Sequence, residues 1–345
     1  MTTSIRRTAM IGIVAATSLT LLAACGRGGD DSSSSSSSKD IKIAIATRNF
    51  TNPYWAALRD GAIAEGKAQG VKVNVQAGSS ETDADGENAK ISTLANQGYD
   101  CFGVVPVNAT NVITPLVPVA KKKIPILNLD TQIDAAASKK AGVSYASFIG
   151  SDNLQAGKIA GEKMLEALGG KGKVAVLQGI AGEQNGINRN KGFSDAVAGK
   201  LDIVQRTPAD YEQDKALQVT EALLKAHPDI TGIFAANDTM GLGAAQAIKN
   251  AGKSDKIKVI SVDGIQDALK AVQAGTLYGT ITQYPYAEGQ LAVQACLALH
   301  QGKKIPARVV APIAFIDKAN AAKQISAFPK PIEPFDNPIE KLISK

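Results

Sequence analysis

From residue 41 onward the chain alternates short runs rich in β-branched residues with longer segments whose apolar residues recur at helical spacing. Such alternation of strands and helices predicts parallel sheets that are covered by helices on both faces. PYWAALRDGAIAEGKAQG and DTMGLGAAQAIKNAG are examples of the helical segments. The predicted strands are IKIAIAT, VKVNVQA, CFGVVPV, IPILNLD, SFIGSD, KVAVLQG, LDIVQRT, ITGIFAA, IKVISVD and YGTITQ.

These strands are too many for one sheet of ordinary size, and the alternation is interrupted in AAASKKAGVSYASFIGSDN. We therefore predict two Rossmann-like lobes of the α/β class, with the chain crossing between them near Gly150 to Asn153. A ligand cleft is expected between the lobes, because open α/β sheets bind ligands at the carboxyl ends of their strands. The segment after about Gln324 is interrupted by prolines, so it is expected to pack loosely across one lobe.

The amino terminus carries an export signal. Arg6 and Arg7 precede the apolar stretch AMIGIVAATSLTLLAA, which is short for a membrane span and ends at Cys25. The sequence LAAC resembles a bacterial lipobox, which implies that residues 1–24 are removed and that the Cys25 thiol carries a lipid. The alternative is an ordinary cleaved signal with an incidental cysteine. Residues 25–39 are rich in serine and glycine and are predicted to form a flexible tether.

Charge and cysteine content limit the partners of the mature chain. Removing Arg6 and Arg7 with the signal leaves 36 basic and 32 acidic residues, a net charge of +4. This excess is small and scattered, so no nucleic-acid partner is predicted. Cys101 and Cys296 lie in an apolar strand and an apolar helix, and we expect both to be buried free thiols.

Polar and aromatic side chains follow the predicted strands at their carboxyl ends. Carboxylates and amides pair well with neighbouring hydroxyl groups, and aromatic faces cover the C–H side of a sugar or polyol. This combination predicts a site for a small polyhydroxylated ligand. The residues are Asn52, Tyr54, Trp55, Asp130, Asn237, Asp238, Asp263 and Gln283.

Each of these residues also has a structural interpretation. Asp238 and Asn153 are assigned as helix N-caps, and any single one of the others is open to the same assignment. Core packing is the alternative for Tyr54 and Trp55.

Catalytic and metal sites have little support in the sequence. His227 and His300 stand at predicted helix ends with no nucleophile or metal-ligand spacing around them, so no catalytic residue, metal or cofactor is predicted. The loop QGIAGEQNG follows a strand, but it lacks a phosphate-binding pattern.

Several stretches together identify a family resemblance. They are NPYW, LDTQ, SDNLQAGKIAGE, VLQGIAG, PADY, AHPDITGIFAANDTMGLGA, AGKSD, VDG and GTITQYP. From about Lys39 to about Ile316 the chain resembles the periplasmic ribose-binding protein and its relatives, the type I sugar-binding proteins of ABC importers. The resemblance implies the type I periplasmic-binding-protein fold. Its lobes would contain residues 40–151 with 284–312, and residues 152–283 with 313–324, followed by a tail of residues 325–345.

The resemblance also implies a set of ligand-binding residues. They fall on Asn52, Tyr54, Trp55, Asp130, Thr131, Arg189, Tyr211, Asn237, Asp263 and Gln283. Two positions depart from the ribose-binding pattern, since Val105 replaces an asparagine and Thr131 replaces an arginine. The missing amide and the missing guanidinium disfavour ribose, because each lost polar partner costs roughly 1–3 kcal/mol. A polyol, another pentose and a cyclitol remain open.

The expected function is that of a solute-binding lipoprotein of a carbohydrate ABC importer. It would be a monomer on the outer face of the cell membrane that captures a small sugar or polyol by hinge closure and delivers it to the permease. A receptor that presents the ligand for chemotaxis or signalling is the alternative. Two other classes of protein share this two-lobed core. Sugar-responsive repressors are disfavoured because they begin with a helix-turn-helix, where this chain has a predicted signal. An exported enzyme is disfavoured because the sequence shows no paired nucleophile and base.

Overall fold

The structure is a computed structural model that describes residues 41–332 and 335–343. Cys25, the predicted signal and the predicted tether lie outside the described residues. The strands are β1 Lys42–Thr47, β2 Lys72–Ala77, β3 Cys101–Val104, β4 Ile126–Leu129, β5 Ser147–Ser151, β6 Gly172–Gln178, β7 Leu201–Pro208, β8 Gly232–Ala235, β9 Lys258–Asp263, β10 Gly279–Thr282, β11 Arg308–Ala311 and β12 Ala314–Ile316. The helices are α1 Pro53–Gln69, α2 Ala84–Leu94, α3 Ile113–Lys121, α4 Ala135–Lys140, α5 Asn153–Leu168, α6 Gln184–Val197, α7 Gln213–Ala226, α8 Asp238–Asn250, α9 Gln266–Ala274, α10 Pro285–His300, α11 Ala321–Ala327 and α12 Glu340–Ile343.

The strands form two six-stranded sheets, one in each lobe. The first sheet has the order β11-β5-β4-β3-β1-β2, and its strands are all parallel. The second has the order β12-β10-β9-β8-β6-β7, in which only β12 runs antiparallel to its neighbour. The predicted α/β fold with two lobes is confirmed. The edge strands β11 and β12, of four and three residues, were not predicted.

The chain passes between the two sheets three times. It leaves the first sheet after β5, returns through the segment between β10 and α10, and crosses again between β11 and β12. Gln283 and Tyr284 occupy the second of these crossings. Because parallel strands end at the same edge of a sheet, the polar residues that follow them gather where the lobes meet.

In each lobe, two helices beside the cleft pack closely against one another: α1 against α10 in the first lobe and α5 against α6 in the second. A Cβ atom on Gly61 of α1 would lie 2.0 Å from the Tyr286 carbonyl oxygen of α10. In the second lobe, a Cβ atom on Gly157 of α5 would lie 2.0 Å from the Arg189 carbonyl oxygen of α6. Only glycine allows this close approach, so Gly157 determines how near the Arg189 backbone of α6 lies to α5.

The two cysteines of the described chain form a disulfide, and the prediction of free thiols was wrong. Cys101 of β3 is joined to Cys296 of α10, with their Cα atoms 5.8 Å apart. Both residues are buried, as expected. The sequence did not reveal the pairing because 195 residues separate them, and α10 returns to the first lobe only after β6 to β10 of the second sheet.

The carboxyl-terminal segment is anchored, contrary to the expectation of loose packing. Ile339 has no exposed surface and packs in the core with partly buried Leu342 and Ile343. The Asn337 side-chain amide donates to Gln294 Oε1 of α10 at 2.8 Å. Three apolar residues within one short turn, in KPIEPFDNPIEKLISK, are a weak sequence signal, which explains the error.

Candidate ligand-binding cleft

A small cavity lies at the carboxyl ends of the strands of both sheets. Eight of the ten predicted site residues line it, whereas Thr131 and Gln283 contact lining residues from behind. Val105 lies in the core of the first lobe. The lining residues are Arg48, Asn52, Tyr54, Trp55, Glu81, Asp130, Glu183, Asn185, Arg189, Tyr211, Asn237 and Asp263.

The start of α1 supplies the aromatic wall. Asn52 is the N-cap of this helix and accepts from the Tyr54 backbone N–H at 3.0 Å, while Pro53 takes the first helical position. The Tyr54 hydroxyl donates to Asp130 Oδ2 at 2.8 Å, and Trp55 Nε1 donates to Glu81 Oε1 at 2.9 Å. Both rings are therefore buried in the cleft with their polar ends paired, rather than being packed only as core.

Arg189 organises the second lobe's side of the cavity. It is 4% exposed, so it is a buried residue of the cavity wall and not a surface cation. Its guanidinium donates to Asn153 Oδ1 at 2.6 Å, to Gln283 Oε1 at 2.9 Å and to Asp263 Oδ1 at 3.3 Å. These contacts connect the cavity wall with the segment that crosses between the lobes.

Arg48 supplies a guanidinium where the sequence indicated that one was missing. It follows β1, is 2% exposed, and its Nη2 donates to Thr131 Oγ1 at 2.8 Å. The guanidinium also lies 5.2 Å from the centroid of the Trp55 ring. The short Thr131 side chain leaves space for this arginine, so a guanidinium from another position lines the cavity.

Three further lining residues were not predicted: Glu81, Glu183 and Asn185. Glu81 lies in the loop before α2, where it accepts from Asn52 and Trp55. Glu183 is the N-cap of α6 and accepts from the Gly186 backbone N–H at 2.8 Å. Both Glu183 and Asn185 belong to QGIAGEQNG, which follows a strand end. That position at a strand end is the sequence signal for both residues, although the loop has no phosphate-binding pattern.

Two helix caps differ from the prediction. The N-cap of α5 is Asp152, with Asn153 inside the helix, and the N-cap of α8 is Asn237, with Asp238 inside the helix. Asp238 is fully buried and accepts from the Thr280 hydroxyl at 2.7 Å, so it joins strands of the second lobe. A single residue's shift in the helix start reverses the assignment, and the sequence did not resolve this difference.

Backbone conformation marks the same site. Among the described non-glycine residues, five have positive φ, and three of these line the cavity: Asp130 at 52°, Tyr211 at 65° and Asp263 at 133°. Non-glycine residues rarely adopt such φ values, and they concentrate at functional sites where the surrounding structure holds them. The neighbouring Asp210 has φ 52° and pairs with Lys215.

Burial and mutual contacts perturb the charges in the cavity. Burial raises the pKa of Asp263 well above its usual range, although Arg189 acts against this. Burial also acts to raise the pKa of Glu183, but Arg48 and the hydrogen bond from Tyr211 lower it overall. The pKa of Tyr54 is raised by burial and by Asp130, so this hydroxyl keeps its hydrogen and remains a donor. The cavity therefore offers both fixed donors and fixed acceptors.

A family model described as a periplasmic binding protein domain matches residues 43–304. The chain belongs to this family of periplasmic binding proteins. The D-allose-binding periplasmic protein of Escherichia coli is 35% identical over 267 residues, which is 76% of this chain and 86% of that protein. The ribose import binding protein of Bacillus subtilis is 30% identical over 306 residues, 88% of this chain and 97% of that protein.

Solved structures agree with this assignment to the periplasmic binding proteins. An ABC transporter periplasmic solute-binding protein from Actinobacillus succinogenes, with bound D-allose, has a TM-score of 0.79 and 32% identity. The similarity covers 82% of this chain and all of that one. As a member of this family the chain is a binding protein and not an enzyme.

The family and the Cys101–Cys296 disulfide both place the protein outside the cytoplasm, since disulfides persist in oxidising compartments. Within residues 41–332 and 335–343, no helix is both long and apolar enough to cross a membrane.

Proposed function

We propose that this protein is the solute-binding component of a carbohydrate ABC importer and that it captures a small sugar or polyol between its lobes. The observation that carries the proposal is the composition of the cavity wall. Carboxylates, amides and two guanidinium groups from both lobes converge on one small space beside three aromatic rings. Hydroxyl groups both donate and accept, so a polyhydroxylated ligand is the class that satisfies such a mixed set.

Closure of the lobes would make these hydrogen bonds effective. An open cleft leaves the polar side chains in water, where hydrogen bonds to a sugar gain little net free energy. In the closed cleft the lining side chains are almost completely buried, so each polar contact is made in a less polar environment. The ligand is then enclosed, and the closed surface is the form that a membrane permease would recognise.

Ligand screening on the mature protein tests the proposal. A thermal-shift panel would include ribose, allose, other pentoses and hexoses, pentitols and inositols, each at millimolar concentration. We expect at least one of these compounds to raise the melting temperature by several degrees, because a ligand that binds only the folded state stabilises it. Calorimetry would then measure its Kd, and recovery of the unchanged ligand would separate binding from turnover. Failure of the entire panel would contradict sugar binding.

The lipid anchor is a further part of the proposal. It rests on LAAC and on the tether of residues 25–39, which would let the two lobes reach a permease from the membrane surface. Expression in a bacterial host fed a labelled fatty acid should give a labelled protein in the membrane fraction. Cys25→Ala should abolish the label. Equal labelling of the Cys25→Ala protein would contradict attachment at this residue, and an unlabelled wild type would contradict the anchor.

A further inference from the structure

Within the described residues, four direct side-chain hydrogen bonds cross the cleft from one lobe to the other, and three of them involve a carboxylate group. Arg48 Nη2 of the first lobe donates to Glu183 Oε1 of the second at 3.2 Å. Asn185 Nδ2 of the second lobe donates to Asp130 Oδ1 of the first at 2.8 Å. Thr131 makes the other two crossing bonds, since it accepts from Asn185 at 3.2 Å and donates to Glu183 Oε1 at 3.3 Å. It also accepts from Arg48 of its own lobe at 2.8 Å.

Each lobe holds its half of this group in place. Arg48 also donates to the Pro106 carbonyl oxygen at 3.1 Å and lies 3.7 Å from Glu81, both in its own lobe. Glu183 accepts from the Tyr211 hydroxyl at 2.5 Å and from the Gly186 backbone N–H, both in its own lobe. Neither side chain therefore has to be ordered when the lobes meet, which reduces the entropy cost of forming the contact.

The contacts are inaccessible to water. Glu183 and Thr131 have no exposed surface, and Arg48 and Asp130 are each 2% exposed. A buried ion pair is little screened by salt, and the additional hydrogen bonds of this group offset the desolvation of its charges when the cleft closes. Opening of the cleft breaks the pair and the Asn185 hydrogen bonds together.

We propose that Arg48, Thr131, Glu183 and Asn185 form an interlobe clasp that stabilises the closed state of the ligand-free protein. In this role they are positioning residues. A ligand that binds only the closed state has an apparent Kd that is inversely proportional to the closed fraction. The clasp therefore tightens binding of any ligand that leaves these contacts intact. Only this effect on affinity rests on the proposed function, since closure itself is measured without ligand.

Glu183→Gln is the sharpest test. The glutamine oxygen still accepts from the Gly186 backbone N–H and keeps the Tyr211 contact. Its NH₂ group faces Arg48 and the Asn185 backbone N–H and cannot accept from either. Asn185→Ala is the second variant, because it removes the two crossing contacts of Asn185 and leaves the Arg48–Glu183 pair. Lys191→Ala is the matched control, since Lys191 is an exposed residue of the same helix that pairs with Asp195.

Closure is measured on the ligand-free proteins in two ways. The only tryptophan, Trp55, is 5% exposed in the closed cleft, so quenching of its fluorescence by acrylamide reports opening. Small-angle scattering gives the radius of gyration of the same samples. We expect Glu183→Gln to increase quenching about twofold or more and to enlarge the radius of gyration. Asn185→Ala should do so by a smaller amount, and Lys191→Ala should match the wild type.

Affinity supplies the second measurement once a ligand is known. Glu183→Gln should raise the Kd about fivefold or more, and adding Arg48→Met to it should produce less loss than the two single changes multiplied together. Equal quenching and equal scattering of wild type and Glu183→Gln would overturn the clasp, and so would multiplicative losses of affinity. If no sugar or polyol binds, quenching and scattering of the ligand-free proteins still test whether the clasp stabilises the closed state.

Discussion

Arg189 and Gln283 are hydrogen-bonded to one another, with Nη2 donating to Oε1 at 2.9 Å. Arg189 lines the cavity, and Gln283 occupies the segment through which the chain returns to the first lobe. One guanidinium therefore contacts both the space for a ligand and the crossing segment. We therefore expect ligand binding and lobe orientation to be coupled at this pair.

Replacement of Arg189 tests this coupling. Arg189→Met removes the contacts to Asn153, Gln283 and Asp263 while keeping much of the side-chain volume. We expect the ligand Kd to rise about 100-fold, because buried charge-assisted hydrogen bonds are each worth about 1.5–3 kcal/mol. Calorimetry measures the change, and Arg206→Lys, at an exposed arginine of the same lobe, is the control. An unchanged Kd for Arg189→Met would show that the ligand does not use this wall.

The Trp55 ring and its N–H group can be tested separately. Trp55→Phe keeps an aromatic face but removes the hydrogen bond to Glu81, so we expect about a fivefold rise in Kd. Trp55→Ala also removes the ring face and should weaken binding by a further tenfold or more. Urea unfolding should show that the Phe variant remains folded. Equal Kd values for the Phe and Ala variants would indicate that the ring face contributes nothing.

The disulfide should stabilise the protein without contributing to the cleft. Cys101 begins β3, at the end of the strand away from the cavity. Cys101→Ala combined with Cys296→Ala should lower the free energy of unfolding by about 2–5 kcal/mol, since the bond restricts a long loop of the unfolded chain. Urea unfolding measures this loss, and reduced wild type should lose a similar amount. The ligand Kd should not change, and an altered Kd would mean that the bond also shapes the cleft.

Glu87 predicts a pH dependence of stability. Burial raises its pKa from 4.5 to about 7, against the hydrogen bonds from Asn111 and Val107. A carboxyl group whose folded pKa is raised adds stability below the unfolded pKa, and that stability is lost as the pH rises through the folded pKa. We expect the contribution to decline by about 3 kcal/mol between pH 4.5 and pH 8.

Glu87→Gln isolates this contribution. Its amide oxygen accepts the same two hydrogen bonds, and the amide carries no charge, so the variant should become more stable than the wild type as the pH rises. Urea unfolding from pH 4.5 to pH 8 gives the difference curve. Glu166→Gln, at an exposed position, should leave the profile unchanged. A flat difference for Glu87→Gln would show that Glu87 is already ionised in the folded protein.

Strand and site predictions succeeded where they depended on local patterns. All ten predicted strands are present, and both histidines lie at helix ends. The residues after these strands could be placed near one another because parallel strands end at a common edge. Arg48 follows the first strand in the same way, yet it is not among the predicted site residues. Its importance depends on the short side chain of Thr131, which is 83 positions away.

The amino-acid sequence by itself determined the alternation of strands and helices, the two-lobed α/β class and most of the polar residues at the strand ends. These features follow from periodicity and turn chemistry, which act over a few neighbouring residues. Only the tertiary structure decided the Cys101–Cys296 bond, the Arg48 guanidinium beside Thr131 and the contacts of Glu183 and Asn185 across the cleft. Each depends on the distance between groups that are far apart in the chain, and that distance is set by how the two sheets pack and where the chain crosses between them.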